Sequence, residues 1–132
     1  MPRSRAPIPQ AAALAVRQGQ LCLVRSSGDK RWVVPKGRLE PGRTLTQIAL
    51  QEAWEEAGLV GILCREPVGA YVYRKAGGVY HVTVYLMEVT AAAEDWPESR
   101  RRRRRWVRPR KAVIRLADEG LRAIVRSVLN AA

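Results

Sequence analysis

No phenylalanine occurs in the 132 residues, and histidine occurs once. The first absence hands aromatic packing to four tryptophans and four tyrosines, whose polar atoms need partners when buried. The second excludes sites built on clustered imidazoles, and His81 reads as an ordinary strand residue. Cysteine is scarce too: Cys22 and Cys64 are too few and too far apart for a metal knuckle. Without a secretory leader they read as reduced thiols, and a cytoplasmic location is expected. The apolar stretch over residues 11–16 is far short of the roughly 20 residues a membrane span needs, so no membrane role is expected. Acidic residues are half as numerous as basic ones, 12 against 24, for a formal charge of +12. Such an excess attracts polyanions at long range. No repeat or linker divides the chain, so residues 11–132 are expected to form a single domain behind a flexible basic leader, residues 1–10, with Arg3, Arg5, Pro7 and Pro9.

What the sequence does have is a carboxylate cluster. Residues 44–57 read as a helix, because Thr44 and Gln47 make a capping box, Gly and Pro are absent inside, and Gly58 supplies the stop. Glu52, Glu55 and Glu56 span an arc of about 100° on it, continuing the stripe of Leu45, Ile48 and Ala49. Like charges at this spacing repel, and the helix C-terminus adds about half a negative charge. A hard divalent cation such as Mg²⁺ or Mn²⁺ would turn both penalties into attraction, whereas a solvated acidic helix end is the bland alternative. Trp54, on the opposite face, is expected to dock the helix.

Residues 32–42 begin as a short apolar strand (Trp32, Val33, Val34) and run into a loop holding Pro35, Gly37, Pro41 and Gly42. Such a loop brings Lys36 and Arg38 toward an anionic ligand above the carboxylates. Two hairpins are expected, one pairing residues 12–16 with 21–24 around Gln18 and Gly19, the other pairing 71–74 with 79–89 around Gly77 and Gly78. Residues 119–129 carry Leu121, Ile124, Val125 and Val128 at helical spacing.

Over residues 37–59 the chain resembles the Nudix box, whose pattern is Gly, five residues, Glu, seven residues, then Arg-Glu-aliphatic-x-Glu-Glu-x-Gly-aliphatic. Gly37, Glu52, Ala53, Glu55, Glu56, Gly58 and Leu59 match in register without a gap. Two positions depart: the first Glu is Arg43, and the Arg before the core Glu is Gln51. Glu40, three residues before Arg43, is a candidate to compensate for the first change. Trp32 to Gly37, the run Asp95, Trp96, Pro97 and Glu98, and the basic stretch before Trp106 look most like the diphosphoinositol polyphosphate and diadenosine polyphosphate hydrolases of that family.

The resemblance implies an α/β fold with a mixed sheet, a Nudix-type α/β/α sandwich, and Mg²⁺- or Mn²⁺-dependent hydrolysis of a phosphoanhydride in a nucleoside diphosphate derivative or polyphosphate. Glu52, Glu55, Glu56 and Gly37 would hold the metal. Glu55 and Glu56 would be catalytic, with Glu56 the first choice of base and Glu94, Asp95 and Glu98 the candidates outside the box. Lys36, Arg38, Arg103 and Arg105 would bind substrate. The last two come from the run over residues 100–105, for which three readings stay open: a solvated strand end, phosphate recognition by alternate side chains, or nucleic-acid binding. A phosphorylated small molecule is the favoured partner and nucleic acid the less favoured one, with the chain a monomer or homodimer. Arg43 and Gln51 motivate the rival reading of a catalytically weakened Nudix-fold protein that binds nucleotides or RNA.

Overall fold

The computed structural model describes residues 6–26 and 28–131. In chain order the elements are β1 (Ile8–Arg17), β2 (Gln20–Ser26), β3 (Lys36–Arg38), α1 (Leu45–Ala57), β4 (Leu59–Leu63), β5 (Gly69–Lys75), β6 (Gly78–Ala92), β7 (Arg102–Val107), α2 (Pro109–Arg115) and α3 (Glu119–Ala131). They form a seven-stranded sheet with the path β4-β6-β1-β2-β7, to which β3 adds beside β1 and β5 beside β6. β1 runs parallel to β6, from Ile8↔Tyr80 to Val16↔Glu88, and the other pairings are antiparallel. The sheet is therefore mixed, as expected.

Alternation along β1 divides the core. Ala12 and Leu14 face a cluster with Leu116, Leu121 and Val125 from the α2 and α3 side. Ala11, Ala13 and Ala15 face α1, where Ile48, Ala49, Ala53 and Ala57 pack on them. Three alanines in alternation leave a flat surface, and the small residues of α1 bring its backbone close to it. Trp54 is a correction: it is 40% exposed and docks nothing in the core. Alanine against alanine has no room for an indole, which lies on the far side of the helix.

Both expected hairpins form, with left-handed residues at the turns (Gln18 and Gly19; Ala76 and Gly77). β1 begins at Ile8, so the last residues of the expected leader are strand; residues 1–5 lie outside the described residues. The strand expected at residues 32–34 reduces to bridges, Val33 with Val24 and Trp32 with Leu116. β4 and α2 were not anticipated. Among the described residues no helix is long and apolar enough to cross a membrane, and both cysteines are free, Cys22 buried and Cys64 exposed.

Candidate active site

Helix α1 starts with the expected reciprocal cap, Thr44 Oγ1 accepting from the Gln47 amide at 3.2 Å and Gln47 Oε1 from the Thr44 amide at 2.9 Å. It ends at Gly58 in the left-handed conformation. The last carbonyls are satisfied from a distance. The Glu98 amide donates to Glu55 O at 3.0 Å, Trp96 Nε1 to Glu56 O at 3.0 Å, and Arg104 Nη1 to Ala57 O at 2.7 Å. Arg104 also lies 4.4 Å above the Trp96 ring. These contacts offset the negative helix end and fix residues 96–104 beside the glutamates.

Glu56 is buried, at 4% exposure, and Glu52 and Glu55 are half-buried. Burial, with a hydrogen bond to Glu52, pushes the Glu56 carboxyl up to about 9; Arg102 and Lys36 pull it down, but less strongly. Glu55 is raised as well, by desolvation first and then by Glu52. Lys36 is lowered by burial, against the attraction of Glu56 and Asp118.

Gly37 in β3 sits against Glu52: a Cβ there would lie 2.6 Å from Glu52 Cδ. That contact requires the glycine and fixes where the carboxylate can stand. Gly37→Ala is expected to displace Glu52 and cut turnover at least about tenfold while the fold is kept, since a methyl is accommodated by moving one side chain; circular dichroism beside a turnover assay checks both. Gln51 Nε2 lies 3.4 Å from both Glu40 Oε1 and Glu52 Oε2. Glu40 therefore stands where the amide can link it to the cluster, while Arg43 is exposed.

Glu56 opens into a cleft of about 220 Å³ lined also by Asp29, Arg31, Lys36, Tyr73, Lys75 and Arg102, with Arg31 paired to Asp29 at 3.1 Å. Arg102 reaches Glu56 Oε1 at 3.7 Å and donates from Nε to Glu98 Oε1 at 2.9 Å. Of the expected substrate cations, only Lys36 lines this cleft. Arg38 donates to Tyr80 Oη at 3.1 Å, next to a ring that stacks on Tyr73 at 4.9 Å. Arg103 and Arg105 do not line the cleft. β7 alternates so that Arg102 and Arg104 face α1, whereas Arg103 borders Arg25 and Lys30 and Arg105 lies over Trp32 on the other face. Sequence alternation identifies two faces but not which one meets the acids. Of the outside base candidates, Glu98 is beside the cluster; Asp95 accepts from Ser99 Oγ at 2.8 Å and Glu94 is exposed.

The expected donor set, three carboxylates and Gly37, has the hard oxygen chemistry that suits Mg²⁺ or Mn²⁺. Among the described residues no three acidic, His or Cys side chains stand ready as a metal nest: Glu56 is turned to Arg102 and Glu52 to Gln51. Crowded carboxylates with raised proton affinity fit a cation that relieves them.

A mixed sheet between helical layers, with acids at one helix end facing cations across a cleft, defines an α/β sandwich with its charged groups gathered at one end of α1. The chain belongs to the NUDIX domain family, whose model matches residues 7–128. It is 32% identical over 106 residues to Nudix hydrolase 12, mitochondrial, of Arabidopsis thaliana, covering 74% of this chain and 52% of that one. It is 37% identical over 101 residues to human diphosphoinositol polyphosphate phosphohydrolase 3-alpha, covering 74% and 60%. The chain thus spans about half the length of the first of these relatives. Among solved structures, a Nitrosomonas europaea NUDIX hydrolase superposes with a TM-score of 0.80 at 18% identity, over 96% of this chain and 90% of that one. The C. elegans Ap4A hydrolase gives 0.76 at 18% identity, over 95% and 98%. Such structures share the fold.

Proposed function

We propose that the chain is a pyrophosphohydrolase requiring Mg²⁺ or Mn²⁺, cleaving a phosphoanhydride in a polyphosphate of the diadenosine or diphosphoinositol type. The observation that carries this reading is the cleft in which Glu56 meets Arg31, Lys36, Lys75 and Arg102. Four cations against two acids, Glu56 and the Asp29 that pairs with Arg31 at 3.1 Å, leave the cleft net positive, which suits a substrate with several phosphates. The names of the human and C. elegans relatives support the same substrate class.

Glu52, Glu55, Glu56 and the Gly37 carbonyl would hold the ion. When bound, it neutralises phosphate charge and makes a water more acidic. The side chains supply the rest. Lys36 and Lys75 bind and orient the phosphates, beside an Arg31 already held by Asp29, and Arg102 places a planar guanidinium where charge grows during cleavage. Glu56 alone of the three glutamates lines the cleft, which makes it the group placed to take the proton of the attacking water. Gln51 keeps Glu52 in place through an amide rather than a guanidinium, with Glu40 as its second partner.

The test is product release from diadenosine polyphosphates, diphosphoinositol polyphosphates, ADP-ribose and nucleoside triphosphates with Mg²⁺ or Mn²⁺. Turnover of one of the first two classes, exceeding the others, is the expected result. Tight polyphosphate binding without product under either metal would replace this reading by that of a binding protein on the same fold.

A further inference from the structure

Away from the cleft, two adjoining surface hollows of about 830 and 550 Å³ share Gln20, Arg108 and Lys111. Between them they add Arg105, Arg110 and Arg115 and include no carboxylate. Among the described residues none of these five cations is ion-paired. Arginines on β7 are explained in part by its place at the sheet edge, where charge prevents pairing with another strand. Edge protection does not account for Arg108, Arg110, Lys111 and Arg115, which belong to α2 and its start.

We propose that this surface binds a nucleic-acid strand through its phosphates. An isolated cluster of like charges is costly unless an anion lies across it. The hollows lie side by side and open to solvent, so an extended chain of phosphates spans both, whereas a compact anion fills one. The cleft differs in kind, since it contains acids that repel a backbone. Nearby aromatic faces are already covered: Trp32 by Arg25 at 4.9 Å and Arg105 at 5.7 Å, Trp106 by Arg17 at 4.4 Å. No ring is left for bases, so the surface takes phosphates without reading sequence. This inference is independent of the proposed hydrolysis.

The experiment is fluorescence anisotropy of labelled oligothymidylate and oligoadenylate with the full chain in EDTA, over a series of KCl concentrations. Both strands are expected to bind alike, with log affinity falling linearly against log salt. Arg108→Ser/Lys111→Ser/Arg115→Ser is expected to make that slope shallower by about 2, at roughly 0.7 for each lost phosphate contact, and to weaken binding at least about tenfold. Its thermal midpoint should equal or exceed that of the wild type. Arg108→Lys/Arg115→Lys, which keeps the charge, should retain the slope. Absence of binding at low salt overturns the proposal. So does an unchanged slope in the triple variant, or loss of binding on Lys36→Ser/Lys75→Ser instead, which would put the strand in the cleft.

Discussion

Replacing Glu56 by glutamine should leave a protein that is more stable without metal and nearly inert with it. Loss of a proton-accepting carboxylate typically removes about 10² to 10⁴ in rate, so a fall of about 10³-fold in kcat is the expected size. The stability effect has the opposite sign, because the Glu56 carboxyl titrates near 9 when folded against an ordinary 4.5. Across that interval the folded state binds a proton that the unfolded state does not. Stability is therefore fully present below 4.5 and is lost progressively as the pH rises toward 9. Glutamine removes that dependence at the cost of the 3.7 Å contact with Arg102, a smaller influence than burial. At pH 8 in EDTA the variant should melt a few degrees higher, equivalent to about 1 kcal/mol or more, and the difference should vanish near pH 4.5. Thermal melts of both proteins across pH read this directly. A destabilised variant at pH 8 would show that the carboxyl is held ionised by its cations.

Arg102→Ala should lower kcat/KM by about 10²-fold, the scale of losing a charge-assisted donor in a reactive cleft. Arg102 bridges Glu98 at 2.9 Å and Glu56 at 3.7 Å and also lines the cleft. Lysine can reach one of these carboxylates but cannot fork between them, so Arg102→Lys should recover only part of the loss, with kcat affected more than KM. Arg103, one residue on and on the other face, should change kcat/KM by less than about twofold on replacement by alanine, as surface substitutions usually do. Equal losses at both positions would mean that β7 presents its arginines to the substrate in another phase.

The sequence carries α1 almost entirely, because its cap, its stripe and its glycine stop are local chemistry. The carboxylates were legible for the same reason: helical spacing places Glu52, Glu55 and Glu56 together whatever the rest of the chain does. The hairpins follow from Gln18 and Gly19 and from the Gly77 and Gly78 pair, although the left-handed residues of the second turn are Ala76 and Gly77, one position earlier. Features that depend on distant segments were not legible. Trp54 looks like an anchor until Ala11, Ala13 and Ala15 are seen to pave the sheet beneath the helix. The phase of β7 is set by pairings such as Cys22↔Trp106, so no local pattern says that Arg102 and Arg104, rather than Arg103 and Arg105, meet the helix. One weak signal is present: a tryptophan tends to turn toward the core, and Trp106 packs there, which puts Arg104 and Arg102 on its face by alternation. Glu40 was a guess from proximity in sequence, and its 3.4 Å approach to Gln51 comes from a loop folded back on α1.

If Glu52, Glu55 and Glu56 form a divalent-cation site, Mn²⁺ binding must weaken when one of them loses its charge. Electron paramagnetic resonance of free Mn²⁺ during titration with wild-type protein, Glu52→Gln and Glu56→Gln tests it most directly. Wild type is expected to remove the free-ion signal, more strongly at pH 8 than at pH 6 because Glu56 must lose its proton, and each variant to bind at least about tenfold more weakly. Equal Mn²⁺ binding by all three proteins would contradict it and place any metal elsewhere.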